Sequence, residues 1–157
     1  TGLGPDDRAA VGAAYAAPVL THGPVASAGA VDAIRALAGR GLVLAVISNT
    51  GRTPGTTLRR LLARAGVLDA FRVLSFSDEV GARKPAAEIF HRTLAAAGCE
   101  PAAAVHIGDD ADADVGGARA VGMRAIHYVS DGRAPSGRAS AVLRRFADLP
   151  VLLDRLA

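Results

Sequence analysis

The stretch VHIGDDADAD, from Val105 to Asp114, decides the fold class of this chain of 157 residues. An apolar run from Ala102 to Ile107 predicts a buried strand, which a glycine ends and four aspartates follow. Acidic side chains crowded at the end of a strand repel one another, and Mg²⁺, which prefers hard oxygen ligands, relieves that repulsion. In open α/β sheets ligands also bind at the carboxyl ends of the strands. The stretch therefore predicts a metal site at one edge of a parallel sheet.

The rest of the chain alternates predicted helices with predicted strands. Strands are predicted over residues 42–47, 73–76, 102–107 and 124–129. Helices are predicted over residues 6–17, 28–40, 56–65, 86–97, 139–147 and 150–156, with a further helix from the aspartate loop to about residue 121. Pro18 and Pro24 bracket a predicted turn. This alternation predicts a parallel sheet with helices on both faces, and it gathers the loops that follow the strands at one edge.

The composition favours a globular domain without a membrane or nucleic-acid partner. Hydrophobic residues make up 50% of the chain, which is ample for a core, and no run is long enough to cross a membrane. The net charge of +3 could indicate nucleic-acid binding, but the arginines are dispersed and aromatic residues, at 4%, do not interleave with them to stack bases. Cys99 is the only cysteine, so no intrachain disulfide forms and a reducing cytoplasm is expected.

A second loop, Val46 to Gly51 (VISNTG), carries candidate phosphate ligands. Its predicted strand ends in Ser48 and Asn49, which together with the backbone supply hydroxyl, amide and N–H donors at one point. Such donors hold phosphate oxygens. The same residues also suit a plain turn or a helix N-cap, so this loop alone leaves both interpretations open.

A third loop, Ser77 to Pro85 (SDEVGARKP), contains Lys84, the only lysine, because every other basic residue in the Lys and Arg total of 18 is an arginine. A compact ammonium suits a tight anionic pocket better than a guanidinium does. The alternative is a lone surface lysine. For the aspartate loop, the alternative is a helix N-terminus loaded with acids, which explains one or two aspartates but not four.

Taken together in this order, the three loops resemble the haloacid dehalogenase-like superfamily of phosphohydrolases, most closely its capped phosphatase branch. The segments SDEVGARKPAAEIF and HIGDDADADVGGARAVGM carry the resemblance, which runs from about Val25 to the C-terminus. The resemblance implies a Rossmann-like parallel sheet with helices on both faces. It also implies that residues 1–24 are the tail of a helical cap and that residues 25–157 are an incomplete α/β core.

The resemblance also implies roles for residues of the second and third loops. Ser48 would hydrogen-bond the transferring phosphoryl group, and Asn49 would help to position the substrate. Lys84 would balance the charge of the nucleophilic carboxylate and of the phosphate. Arg83, next to it, is expected to be solvated.

In the aspartate loop, the resemblance implies that Asp109 binds Mg²⁺ directly and that Asp114 acts through a coordinated water. Asp110 would support this metal site, and Asp112 would face solvent. Ala113 stands where the family often has an asparagine. His106, on the strand before the loop, is interpreted as a packed core or sheet residue. The other histidines lack metal-ligand spacing, and these are His22, His91 and His127.

The family's nucleophile has no counterpart in the sequence. It is the first aspartate of an Asp-x-Asp motif that follows an apolar opening strand, and nothing before Ser48 fits, because Asp6 and Asp7 follow Gly4 and Pro5 rather than a strand. The resemblance therefore implies that the nucleophile, its acid–base partner and the middle strand of the sheet are missing. We expect the sequence to start inside the cap of a longer protein, or to be a degenerate relative.

For an intact parent, the resemblance implies a Mg²⁺-dependent phosphatase that acts on a small phosphorylated metabolite through an aspartyl-phosphate. The chain as it stands is predicted to be inactive. One alternative is a metal-free haloacid dehalogenase, against which the acidic loop argues because halide displacement needs no acidic metal cluster. The other is a non-catalytic binding or assembly domain, which the missing nucleophile favours.

Overall fold

The computed structural model, which describes residues 4–51, 53–130 and 132–156, contains five strands, and helices or helical turns connect all but the last two of them. The strands are β1 (Leu44–Ser48), β2 (Phe71–Phe76), β3 (Val105–Gly108), β4 (Arg124–Tyr128) and β5 (Ala141–Leu143). The helices are α1 (Pro5–His22), α2 (Ala30–Gly39), α3 (Gly55–Arg64), α4 (Ser77–Val80), α5 (Ala87–Ala97), α6 (Gly117–Ala120) and α7 (Leu149–Asp154). A π-helical turn, Ala111–Gly116, leads into α6, and short 3₁₀ turns span Leu68–Ala70, Pro101–Ala103 and Phe146–Asp148.

The strands form two parallel sheets rather than one. β1 pairs with β2, and β4 pairs with β3 on one side and β5 on the other. In the described part of the chain no strand joins β1 to β3. An apolar-lined cavity of about 500 Å³ lies there instead, and residues of both strands, including Ala45 and Val105, line it. The family resemblance implies that the middle strand of the sheet is missing, and this stays a prediction.

Helices cover both faces of the sheet that contains β4, as predicted. Successive side chains of a strand point to opposite faces, and Ala125 and Ile126 accordingly enter two different core clusters. On one face Ala125 packs with buried side chains from α5 and the α6 region, namely Ile89, Phe90, Leu94, Val115 and Ala118. On the other face Ile126 packs with buried side chains from α2, β5 and α7, namely Ala33, Leu37, Leu143 and Leu149. The prediction of an α/β fold with a parallel sheet is confirmed.

Gly117 lets α6 approach α5 closely. A Cβ at this position would lie 2.7 Å from the Phe90 ring and 3.1 Å from the Cα of Pro85. We therefore expect Gly117→Ala to destabilise the protein by about 1–3 kcal/mol, because overpacking forces side chains and backbone to shift. Urea denaturation measures the change. Gly12→Ala is the matched control, because Gly12 lies in α1 with nothing within 4 Å of its would-be Cβ, and it should be neutral or stabilising. Equal stability of the two variants would contradict the close packing.

Two sequence predictions are wrong. Residues 139–147 do not form a helix, because Ala141–Leu143 is strand β5, with Ile126 opposite Ala141 in a parallel register. A short apolar run is compatible with either a helix or a strand, and here pairing with β4 makes it a strand. Pro18 does not bound a turn either, because it lies inside α1, which continues to His22. A proline removes only one backbone donor, so it can kink a helix without ending it.

Helix α1 ends five residues beyond the predicted end at residue 17, and the remaining predicted elements agree with the structure to within three residues at each end. Within the predicted loop from Ser77 to Pro85, one helical turn forms (α4), and Pro101–Ala103 forms a 3₁₀ turn where the third strand was expected to begin. No helix of the described residues is long and apolar enough to cross a membrane. The predicted cap boundary at residue 24 follows the end of α1 at His22, and its assignment to a cap stays a prediction.

Candidate active site

Lys84 lies where three loops meet. Its Nζ donates to the carbonyl of Ile47, 2.8 Å away on β1, and to Oδ1 of Asp114, 2.5 Å away. The side chain is only 11% exposed. The loops after β1, before α5 and after β3 therefore converge on a single ammonium group, although they are far apart in the sequence.

Asn49 holds the backbone of Lys84 rather than pointing its amide to solvent. Its Oδ1 accepts from the Lys84 N–H at 2.8 Å, and its Nδ2 donates to the Lys84 carbonyl at 2.9 Å. Both polar groups of the amide therefore bind one residue. The structure thus shows Asn49 fixing the residue that carries the cation, and its predicted part in positioning substrate stays a prediction.

We expect Asn49→Asp to destabilise the protein by about 1–3 kcal/mol, because the carboxylate keeps the shape but cannot donate to the Lys84 carbonyl. Urea denaturation at neutral pH measures this loss. The deficit should shrink below about pH 4, where the new carboxyl group is protonated and regains a donor. Wild-type stability of Asn49→Asp at neutral pH would show that the paired hydrogen bonds do not form.

Asp114 is the anionic partner of Lys84 and is only 4% exposed. Its Oδ1 also accepts from His106 Nε2 at 2.9 Å, and its Oδ2 accepts from the Asp110 N–H at 3.0 Å. Burial opposes ionisation of this group, but the hydrogen bonds from His106 and Lys84 outweigh it, so the pKa of Asp114 lies well below its usual value. Gly108 makes room for the carboxylate, since a Cβ there would overlap it.

His106 belongs to this network, which the sequence interpretation did not predict. It is buried and packs edge-on against Phe90 with ring centroids 5.3 Å apart, as a core residue would. Its Nε2 nevertheless donates to Asp114, because an ionised carboxylate can only accept. The sequence feature that could have indicated this contact is Gly108. Because it has no side chain, the aspartate loop can fold back over it and bring Asp114 to His106.

Asp110 and Asp109 behave differently although they are adjacent. Oδ1 of Asp110 accepts from the N–H groups of Asp112 and Ala113, both at 2.8 Å, so it caps the π-helical turn. These backbone hydrogen bonds lower the pKa of Asp110. The Asp109 carboxylate is exposed and makes no hydrogen bond or ion pair with any described residue, which leaves it free for a ligand.

Asp112 faces solvent, as predicted, and its carboxylate pairs with Arg138 at the surface. Ser48 is the last residue of β1 and is partly buried. Its hydroxyl has no hydrogen-bond partner among the described residues, so it can donate to a ligand at the carboxyl end of the strand. The predicted site residues therefore lie on loops that the structure brings together, while their roles in binding and catalysis stay predictions.

A second network joins the loops after β1 and β2. The Thr50 N–H donates to Ser77 Oγ at 2.9 Å, and the Thr50 hydroxyl donates to Asp78 Oδ1 at 2.8 Å. Oδ2 of Asp78 accepts from the N–H of Gly55, the first residue of α3, at 3.0 Å. Burial opposes ionisation of Asp78, but these hydrogen bonds together lower its pKa. The network connects the loop that contains Ser48 to the loop after β2 and to the start of α3. It was not predicted from the sequence.

The carboxylate groups around Asp109 are of the type that binds Mg²⁺, but too few of the described ones are close together to hold the ion. Carboxylate oxygens are the ligands that Mg²⁺ prefers, yet the described residues contain no group of three His, Cys, Asp or Glu side chains placed to hold a metal ion. Both carboxylate oxygens of Asp114 already accept hydrogen bonds, from Lys84, His106 and the Asp110 N–H. A Mg²⁺ ion held by Asp109 would therefore need further oxygen ligands, such as backbone carbonyls, water or substrate oxygens.

Comparison with known proteins places the chain in a family. The family model described as haloacid dehalogenase-like hydrolase matches residues 4–122. The chain is 41% identical over 98 residues to haloacid dehalogenase-like hydrolase domain-containing protein 3 of Bos taurus, which covers 62% of this chain and 38% of that protein. It is 36% identical over 110 residues to a phosphoserine phosphatase of Thermus thermophilus, which covers 70% of this chain and 43% of that protein.

The fold agrees with this comparison. The crystal structure of a HAD phosphatase from Thermococcus onnurineus superimposes with a TM-score of 0.80 and 29% identity, over 88% of this chain and 64% of that one. The chain spans well under half the length of the two curated relatives above, 38% and 43%. The match over residues 4–122 includes all three loops that meet around Lys84. The chain therefore belongs to the haloacid dehalogenase-like hydrolase family.

Proposed function

We propose that the residues around Lys84 form the phosphate-binding part of a Mg²⁺-dependent phosphatase site. In this proposal, the nucleophilic aspartate lies on a strand that fills the gap between β1 and β3. The observation that carries it is the buried ammonium of Lys84, held between Asp114 and the carbonyl of Ile47, a residue that lines the gap. An ammonium fixed beside an unfilled strand position can balance two anions, an incoming carboxylate and a phosphoryl group.

Each residue of this chain then has a limited task. Ser48 donates its hydroxyl to a phosphoryl oxygen, and Lys84 neutralises charge on the same group. Asp114 and His106 keep the ammonium in place, and Asn49 fixes the backbone that carries it. Asp109 would hold Mg²⁺ together with ligands from the missing strand, and a bound Mg²⁺ supplies electrostatic stabilisation of the phosphoryl oxygens.

The reaction that this arrangement suits proceeds in two displacements. A carboxylate oxygen of the strand aspartate attacks phosphorus, and the ester oxygen leaves with a proton from a neighbouring acid. Water then attacks the aspartyl-phosphate, which releases inorganic phosphate and restores the carboxylate. The phosphatase relatives support this reaction class, and a small phosphate ester is the substrate class we propose.

A comparison of two proteins tests the proposal: the chain of 157 residues, and the same chain preceded by the segment encoded directly upstream of Thr1. With p-nitrophenyl phosphate and Mg²⁺, the shorter protein should match the buffer blank. The longer protein should turn over, and EDTA should stop it. Asp109→Asn should abolish this turnover, whereas Asp112→Asn, its exposed neighbour, should retain it.

Each alternative function has its own outcome in the same assay. Halide release from a 2-haloacid by the longer protein without metal would replace the phosphatase by a dehalogenase. No turnover of either substrate by the longer protein would favour the non-catalytic domain. Turnover by the shorter protein alone would place the nucleophile within these residues and overturn the proposed role of the gap.

A further inference from the structure

His127 lies on β4 between the aspartate loop and the loop that follows β4. The side chain is buried, with 5% of its surface exposed. Its Nδ1 accepts from the N–H of Ser136 at 2.9 Å. A neutral imidazole that accepts at Nδ1 carries its proton on Nε2, and Nε2 lies 3.1 Å from the carbonyl oxygen of Asp109. The ring therefore donates to Asp109 and accepts from Ser136 at the same time.

We propose that His127 is a positioning residue that holds the backbone of Asp109, so that the Asp109 carboxylate is set for a ligand. This inference rests on the proposed function, because it takes Asp109 as the metal-binding aspartate. His127 lacks metal-ligand spacing in the sequence. In the structure both of its ring nitrogens are hydrogen-bonded to backbone groups, so neither is available to bind a metal ion. Its action is on the loop, through the carbonyl of Asp109.

A second contact joins the same two loops. The guanidinium of Arg138 donates to the carbonyl of Ala111 at 3.1 Å and pairs with the Asp112 carboxylate. It also lies against Gly116, where a Cβ would come within 2.9 Å of it. The hydrogen bond from Arg138 is exposed, whereas that from His127 is part-buried, so water competes less with the His127 contact.

The Asp109 carboxylate itself takes no part in either contact. A cavity of about 340 Å³ opens beside it, lined by Asp109, Asp110, His127 and Tyr128 among others. The loop is thus fixed through its backbone while the side chain remains available. A group that orients a metal ligand in this way is worth about 10–100-fold in metal affinity.

Hydrogen–deuterium exchange on the chain of 157 residues tests the positioning without any metal. His127→Phe, which removes both nitrogens, should speed exchange in residues 109–114 as well as in 132–138. His127→Gln can still donate to the Asp109 carbonyl through its amide, so it should protect residues 109–114 nearly as the wild type does, while 132–138 exchanges faster. His91→Phe, at an exposed position on α5, is the control and should change neither segment.

Titration of Mg²⁺ into the longer protein then measures the consequence. His127→Phe should weaken Mg²⁺ binding by about 10–100-fold, and His127→Gln should recover most of that loss. A purely structural role would weaken both variants in proportion to their stability, without recovery by glutamine. If faster exchange in His127→Phe is confined to residues 132–138, or if its Mg²⁺ affinity equals that of the wild type, the inference is wrong. If the wild type binds no Mg²⁺, the proposed metal site fails, and the exchange data alone decide whether His127 holds the loop.

Discussion

Asp114→Asn should destabilise the folded protein by about 3–5 kcal/mol, because removing one partner of a buried ion pair leaves the other charge uncompensated. Lys84 is 11% exposed and would face a neutral amide in place of its carboxylate. Urea denaturation at neutral pH gives the difference in the free energy of unfolding. Asp112→Asn is the matched control, because that aspartate is 86% exposed in its ion pair, and surface pairs contribute about 0–1 kcal/mol.

The same variant should also show a defined pH dependence. The pKa of Asp114 is lowered in the folded protein, so its stabilising contribution is complete above the unfolded-state pKa of about 3.9 and is lost as the pH falls through the folded-state value. The difference between wild type and Asp114→Asn should therefore be constant from neutral pH down to about pH 5 and shrink below it. A difference that stays constant below pH 3, or no difference at any pH, would contradict the buried ion pair.

Lys84→Arg should lower kcat of the longer protein by about 10²–10³-fold, although the charge is kept. One compact Nζ reaches both the Ile47 carbonyl and Asp114. A planar guanidinium is wider and presents its donors in a fixed fork, so it cannot occupy the same point beside a phosphoryl group. Steady-state kinetics with p-nitrophenyl phosphate and Mg²⁺ measure the effect.

Arg83→Lys is the control for this substitution, because Arg83 is exposed and adjacent in the chain. Its kcat should remain within about two-fold of the wild type, as expected for a solvated side chain outside the site. If Lys84→Arg retained wild-type kcat while Arg83→Lys lost it, the essential cation would be Arg83, and the site would have to be rebuilt around it.

The sequence was sufficient to predict the layers of the fold and the loops that meet. Short apolar runs predicted β1 to β4, and apolar residues repeating at helical spacing predicted most of the helices. These two patterns differ because buried strands and amphipathic helices have different hydrophobic periods. Ala141–Leu143 was predicted as helix, because three apolar residues carry no period and only pairing with β4 makes them a strand. The cytoplasmic location expected from the lone Cys99 stays a prediction.

The contacts within the site were less predictable than its residues. Asn49, His106 and His127 act on partners that are 35, 8 and 18 residues away. Such hydrogen bonds depend on how loops fold over a sheet edge, which local periodicity does not encode. Lys84 was predictable because it is a chemical exception, the one lysine among arginines. The role of His106 was not predicted, because a histidine in an apolar strand is more often a packing residue.

Acid-quenched mass spectrometry of the longer protein during turnover tests most directly the claim that a strand in the gap supplies the nucleophile. Proteolysis of the quenched protein locates any phosphoryl group on a peptide, and hydroxylamine, which cleaves acyl phosphates, serves as the chemical control. We expect a hydroxylamine-sensitive phosphoryl group on an aspartate of the added upstream segment, and none on the chain of 157 residues. A phosphoryl group on Asp109, or steady turnover with no phosphorylated peptide, would contradict it.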